Sequence, residues 1–369
     1  MVRDELELSF ARAPDKCSIF FGDGLLDELP SRKIDGASSF AIITDDIVAK
    51  LYAKTLEQTL SKIAPTHLIV IPHGESSKNL DSASRLAAKL SKLGVDRKSS
   101  LFALGGGVIG DLTGFVASIF KRGIKYFQAP TTLLAQVDSS IGGKTAVDTE
   151  WGKNQLGSFY QPSEIFIDTS TLDTLPSKEI INGLGEMAKS SIIADRNLFS
   201  KINSALNKEI DIQTLKPLIF DTCKIKTRIV EEDEREMNLR SILNYGHTVG
   251  HALESSSGYK LSHGKSVVLG MISEGWISNR LGIFGERDYQ KQIDLISKIR
   301  KQFEVTANFD TKKVLSFAFL DKKTAKGSIR MSLPEKIGLM HMAAEGHYTV
   351  PVSKELFVGS LSHLRQETD

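Results

Sequence analysis

Cysteine is scarce in this chain. Only Cys17 and Cys223 occur in 369 residues, far apart and outside any C-x-x-C motif. That usage argues against a disulfide framework or a cysteine-rich metal site and fits a reducing compartment. An excess of one charge is also missing: 47 basic side chains face 45 acidic ones, a formal net charge of +2, which argues against a nucleic-acid partner. No apolar run approaches the roughly 18 residues of a membrane span; the best, Val267 to Ile277, is interrupted by Ser273 and Glu274. The opening MVRDELELSF lacks the basic start and apolar run of a signal peptide and is too acidic for a transit peptide. The expectation is a cytoplasmic protein with no membrane partner. What is present is a 41% hydrophobic content, ordinary for a chain that buries a core, and length for two domains of roughly 150 residues each.

The first half alternates short apolar runs with helical periodicity. Phe40–Thr44, Leu68–Pro72, Leu101–Leu104, Tyr126–Ala129 and Ile165–Asp168 read as strands, while Leu86, Leu90 and Leu93 recur at helical spacing within 82–93. Repeated strand–helix units predict a mostly parallel sheet, here a Rossmann-like α/β domain, which binds ligands at the carboxyl ends of its strands. After about residue 178 the strand runs stop. Segments 178–192, 195–207, 213–236, 241–256, 264–280 and 288–303 read as helices, so the second domain is expected to be all-α. Pro176 disfavours helix at Leu175, and Ser177 is a candidate cap for the helix that follows. The expected domains are therefore 1–177 and 178–369, with the ligand cleft between them.

The run Leu101 to Leu104 enters Gly105-Gly106-Gly107-Val108-Ile109-Gly110-Asp111, a literal G-x-G-x-x-G between strand and helix. Such a turn lets the backbone approach a pyrophosphate at a helix N-terminus. It follows the third strand run rather than the first, and no acidic residue stands about 20 positions on. The alternative is a tight turn with no ligand. Asp45 and His73-Gly74-Glu75 end two other strand runs, with Lys78 one turn further on. Their carboxylates suit ribose hydroxyls or, equally, helix capping.

Residues 121–154 gather Lys121, Arg122, Lys125, Lys144 and Lys153 with Thr131, Thr132, Asp138, Ser139, Ser140 and Asn154. A Walker A reading of Gly143-Lys144-Thr145 fails, because Asp138 stands where the first glycine belongs. A glycine-flanked lysine among hydroxyls and an amide still suits a phosphate monoester. The plainer reading is a solvated basic loop.

Three of the eight histidines fall at 247, 251 and 263. His247 and His251 share a helix face one turn apart, so spacing alone nominates both as metal ligands. Thr248 stands where a zincin protease carries glutamate, which disfavours that class. A carboxylate is expected to complete the shell, and Glu186 is a candidate with Lys189 one turn away. The charged stretch Lys224 to Glu236 reads as an exposed helix, although Lys226 leads toward Arg240, Asn244 and His247.

Together these segments resemble the 3-dehydroquinate synthase family of sugar phosphate cyclases. The resemblance rests on Gly74-Glu75 with Lys78, GGGVIGD at 105–111, PTTLLAQVDSSIGGKTAVD at 130–148, GKNQLGSFYQP at 152–162, INGLGEMAK at 181–189, DERE at 233–236, LRSILNYGHTVGHALE at 239–254, HG at 263–264 and DKK at 321–323. His73 and Met187 are mild departures from the family pattern. The family implies a homodimer, an NAD cofactor and a divalent metal, zinc with cobalt as the alternative. Position by position, it implies Glu186, His247 and His263 as metal ligands and moves His251 into the substrate pocket, against the spacing argument. NAD would meet Asp45, Glu75, Lys78, Gly105, Gly106, Gly107, Asp111, Thr131, Thr132 and Asp138, with Lys144 and Lys153 nearby. The substrate phosphate would meet Lys144, Asn154 and Lys322 or Lys323, with Arg122 reaching over from the partner copy. Lys153, Lys189, Lys226, Arg240, Asn244 and His251 would line the remainder of the pocket, Lys226 and Arg240 facing a carboxylate. The implied substrate is 3-deoxy-arabino-heptulosonate 7-phosphate, converted to 3-dehydroquinate and phosphate by oxidation, elimination, reduction, ring opening and aldol closure. Three rivals stand: a sister cyclase acting on sedoheptulose 7-phosphate or glucose 6-phosphate, a metal-dependent oxidoreductase of the glycerol dehydrogenase type, and an inactive relative that only binds nucleotide or a partner.

Overall fold

The computed structural model describes residues 16–30, 33–208, 210–320 and 329–368. Lys322, Lys323 and the N-terminal segment considered above lie outside them. Eight strands occupy the first half: β1 (Ser18–Gly22), β2 (Phe40–Asp45), β3 (Thr66–Ile71), β4 (Ser100–Gly105), β5 (Lys125–Pro130), β6 (Lys144–Thr149), β7 (Gly152–Phe159) and β8 (Glu164–Asp168). Six of them form one parallel sheet in the order β1-β8-β5-β4-β2-β3. Each expected strand run corresponds to a strand of this sheet, with ends within a residue or two; the run over Leu68–Pro72 is shifted, since β3 covers Thr66–Ile71 and Pro72 lies outside it. Helices α1 (Lys54–Ser61), α2 (Leu80–Lys92) and α3 (Gly107–Ile119) connect its strands. Because both faces are covered, the central strands read as continuous apolar runs rather than alternating ones. Phe102, Phe127 and Phe166 stack on one face, and Leu101, Ala103 and Tyr126 bury on the other against α2 and α3 residues.

The strand order reverses between β2 and β4, because β3 lies on one side of β2 and β4 on the other. Ligand crevices form at such a switch point. That explains why the glycine turn follows β4: its position in space, not its rank in the sequence, sets it beside the end of β2.

The second half is helical: α4 (Ser177–Ala194), α5 (Arg196–Ala205), α6 (Ile212–Glu232), α7 (His247–Ser256), α8 (His263–Arg280), α9 (Glu286–Phe303), α10 (Thr311–Leu320) and α11 (Lys354–Thr368). It also carries two short antiparallel ribbons that the sequence reading missed. They pair β9 (Ile329–Met331) with β12 (Val350–Val352), and β10 (Pro334–Lys336) with β11 (Leu339–Met340). Strands of two or three residues are too short to display a periodicity. Pro176, not Ser177, occupies the capping position of α4, and no side chain caps it. The apolar interior of these helices takes in Leu133, Val137, Ile165 and Ile167 from the sheet half.

The expected helix over 241–256 is broken. A 3-10 turn spans Leu239–Asn244, Gly246 takes φ 78°, and α7 starts at His247. Only a residue without a β-carbon fits at Gly246, where one would lie 2.7 Å from Met271 Cγ. The buried Glu274 carboxylate accepts the backbone N–H groups of Gly246 and Val249, at 2.8 and 2.9 Å, and so fixes the start of the histidine helix.

Candidate active site

Glu186 of α4, His247 at the start of α7 and His263 at the start of α8 meet at one point. Glu186 Oε1 lies 3.3 Å from Nε2 of both histidines. Tetrahedral bonds of roughly 2.0–2.1 Å set neighbouring donor atoms about 3.3 Å apart. One carboxylate and two imidazoles at that spacing fit a divalent metal with positions left for substrate. The Tyr245 carbonyl lies 3.1 Å from His247 Nδ1, which turns Nε2 toward Glu186. Burial alone would raise the Glu186 carboxyl, but Lys189 and His247 outweigh it and hold the group well below the usual carboxylate range. Lys189, buried on α4, pairs directly with this carboxylate. His251 packs edge-on against His247, with ring centroids 5.1 Å apart, and its side chain is exposed. His251 does not fall in the Glu186 group; its donor atom lies within 4.8 Å of those of Glu254 and His263, a second group that shares His263 with the first.

The nucleotide-type residues divide into two groups. Asp45, the Gly105–Gly107 turn, Thr131 and Thr132 stand at the ends of the adjoining strands β2, β4 and β5. The turn is tight. A β-carbon on Gly105 would lie 2.7 Å from Ile109, and one on Gly107 would lie 3.0 Å from Ser139 Oγ. No side chain caps the start of α3, which leaves that terminus to an anion. These features fit a dinucleotide. Asp45 Oδ1 accepts the backbone N–H groups of Ile47 and Val48, both at 2.9 Å, the capping use of a lone aspartate. The second group surrounds Lys78, whose buried ammonium lies 3.2 Å from Glu75, 3.2 Å from Asp111 and 3.7 Å from Asp148, and donates to Asn154 Oδ1 at 2.7 Å. Asn154, expected at the phosphate, is thereby turned toward the Lys78 cluster.

Asp138 and Lys226 were expected in different subsites, one at the nucleotide and one at a carboxylate. They are bonded to each other, Lys226 Nζ lying 2.6 Å from Asp138 Oδ1. Lys144 of β6 pairs with one Glu236 oxygen and the Asn244 amide with the other. Arg240 is fully buried; its two terminal nitrogens donate to the carbonyls of Gly142 and Glu234, and among the described residues its Nε has no hydrogen-bond partner. Arg122 is exposed on the turn after α3 at φ 69°. Among the described residues, no hydrogen bond or ion pair ties it to the others.

Sequence reasoning missed Glu254, Glu236 and Asp148. Glu254 lies three residues after His251 and seven after His247, hence on their helix face, a signal that was available. Glu236 sits in a turn, where a single acidic residue carries no positional signal, and Asp148 sits near the end of the short polar strand β6. The β6–β7 hairpin that carries Lys144, Lys153 and Asn154 leaves little strand signal in the sequence, because β7 is polar and mostly exposed and β6 buries only Thr145 and Val147.

A parallel nucleotide-type sheet together with a Glu-His-His cluster paired to the buried Lys189 defines an enzyme of mixed α/β and helical build. Solved structures of the same architecture include 2-deoxy-scyllo-inosose synthase complexed with carbaglucose-6-phosphate, NAD+ and Co2+ (27% identity, TM-score 0.85, 95% of this chain and 97% of that one). Another is 2-epi-5-epi-valiolone synthase from Streptomyces hygroscopicus with NAD+ and Zn2+ bound (24% identity, TM-score 0.84, 98% and 99%), a likeness of fold. Residues 68–182 match the family described as 3-dehydroquinate synthase N-terminal, and residues 183–324 match 3-dehydroquinate synthase C-terminal. The 3-dehydroquinate synthase of Thermodesulfovibrio yellowstonii is 43% identical over 328 residues, 88% of this chain and 90% of that one. The chain belongs to the 3-dehydroquinate synthase family. No helix among its described residues is long and apolar enough to cross a membrane.

Proposed function

We propose that the chain performs the reaction its family is named for. It converts 3-deoxy-arabino-heptulosonate 7-phosphate to 3-dehydroquinate and phosphate, as a carbon–oxygen lyase of aromatic amino acid biosynthesis that uses NAD and a divalent metal. The observation that carries this reading is the Glu186–His247–His263 cluster, with Glu186 Oε1 3.3 Å from Nε2 of both histidines and Lys189 paired to Glu186, in a chain from this family. Bound NAD and metal would supply reversible hydride transfer and Lewis-acid polarisation.

The chain's own residues position and neutralise. Glu186, His247 and His263 hold the metal. Lys144 and Asn244 offer donors to an anion at the β6 end of the pocket, and Lys189 places its charge beside the metal cluster. His251, exposed next to the cluster, can move a proton at substrate oxygen. The Gly105–Gly107 turn and the Lys78 cluster hold the dinucleotide. Arg122, exposed on its turn, reaches a partner copy in a homodimer, and residues 1–177 and 178–369 act as the two domains. The enzyme works in the cytoplasm. The sugar acid is favoured over carboxylate-free sugar phosphates because Lys226, Arg240 and Asn244 are of the types that suit a planar carboxylate; in this structure their donors are held by Asp138, by the Gly142 and Glu234 carbonyls and by Glu236, so the substrate must displace those partners. The test is phosphate release from purified protein with NAD and zinc, offered each of the three sugar phosphates separately. Release from the heptulosonate is expected. Release from sedoheptulose 7-phosphate alone would overturn the reading in favour of a sister cyclase.

A further inference from the structure

Glu254 touches both a histidine of the Glu186 cluster and a lysine of the β6–β7 hairpin. Its side chain is buried on α7, on the face that carries His247 and His251. Oε2 lies 3.4 Å from His263 Nδ1, and Oε1 accepts Lys153 Nζ at 2.8 Å. His263 presents its other nitrogen, Nε2, to Glu186 at 3.3 Å. Lys153, on β7 of the opposite half, continues to Glu75 Oε1 at 3.7 Å, and its ammonium sits 4.4 Å from the centre of the Tyr259 ring. A continuous chain of charged contacts thus runs from the metal cluster through His263, Glu254 and Lys153 to the Lys78 cluster.

We propose that Glu254 is a positioning residue that serves two sites at once. One oxygen fixes the tautomer and ring plane of the metal ligand His263, and the other anchors the β6–β7 hairpin to the metal site through Lys153. A histidine that donates Nδ1–H to a carboxylate keeps Nε2 unprotonated and aimed at a metal, and loss of such a partner typically weakens metal affinity about 10–100-fold. The geometry demands a carboxylate specifically. Glutamine has the same shape but one acceptor oxygen. If that oxygen stays with His263, the amide NH2 confronts the Lys153 ammonium; if it turns to Lys153, NH2 confronts His263 Nδ1–H. No isosteric neutral side chain serves both neighbours.

This inference rests on the metal reading above, and the experiment separates the two. The whole purified chain is stripped of metal and titrated with Zn2+ against a chromogenic chelator, as wild type, E254Q, K153M and H263A. The urea midpoint of each metal-free form is measured alongside. Wild type is expected to bind Zn2+, and H263A to lose most of its affinity. E254Q should bind about 10–100-fold more weakly with its metal-free midpoint little changed, and K153M should lose less than fivefold (about 1 kcal/mol). E254Q binding within twofold of wild type, or K153M losing as much as E254Q, overturns the positioning role while the metal reading stands. Wild type and H263A binding alike overturns both.

Discussion

Lys226 and Asp138 form one ion pair, with Nζ 2.6 Å from Oδ1 and Nζ also 2.6 Å from the Asp138 carbonyl. The pair ties α6 to the short turn after β5, across the two halves of the chain. Burial lowers the Lys226 ammonium below its usual range although Asp138 opposes the shift.

Removing one partner of a largely buried pair strands the other charge. K226A is therefore expected to lower the unfolding free energy by about 2–4 kcal/mol. The double variant K226A/D138N should lose less than the sum of its parts, with a coupling of roughly 1–3 kcal/mol. A urea-denaturation double-mutant cycle measures this, and strictly additive losses would contradict it.

Glu236 occupies the donors that an incoming phosphate or carboxylate would use, since its two oxygens hold Lys144 and Asn244. It does so from a turn in which its own φ is 59°, an uncommon conformation for a side-chain-bearing residue. An anion entering there must displace a carboxylate already in place. E236Q should bind inorganic phosphate about fivefold more tightly by calorimetry, a gain of roughly 1 kcal/mol. Weaker binding would mean that Glu236 organises the donors rather than competing for them.

Asp111 gives the fold a pH signature. Burial, opposed by Lys78 and reinforced by Glu75 and Asp148, pushes its carboxyl up to about 6. Its folded pKa thus exceeds its unfolded one, so the folded chain binds the extra proton between the ordinary carboxylate range and about pH 6. Stability falls as pH rises through that window, and above it the whole penalty is present. D111N lacks the titration. Its unfolding free energy relative to wild type should rise by on the order of 2 kcal/mol between pH 4.5 and pH 7. Parallel curves from denaturation at each pH would rule this out.

Much of the frame was legible in the sequence for plain physical reasons. A sheet covered on both faces needs uninterrupted apolar strands, and the runs around Phe40, Leu101 and Tyr126 carry that signature. Helical spacing located the segments of α4, α8 and α9 within a few residues. Residue type and spacing nominated Glu186 and His247 for the Glu-His-His cluster, and only the choice of His263 over His251 came from the resemblance. Helical spacing pairs His247 with His251, whereas Glu186 gathers His247 with His263 from the start of another helix. The partners chosen by turns stayed hidden. Gly246 ends a pattern that reads as one helix, Asp233 folds the chain back by accepting the N–H groups of Met237, Asn238 and Arg240, and Glu236 swings toward Lys144 as a result. The pairing of Lys226 with Asp138 depends on how the two halves meet, which no local pattern encodes.

In the proposed reaction the substrate is oxidised and re-reduced within one turnover. Phosphate release and absorbance at the NADH band, followed together in one reaction with 3-deoxy-arabino-heptulosonate 7-phosphate, NAD and zinc, test this directly. The account predicts phosphate released in step with substrate consumed, with no net NADH. NADH accumulating in proportion to substrate, without phosphate, would contradict it and make the chain a dehydrogenase.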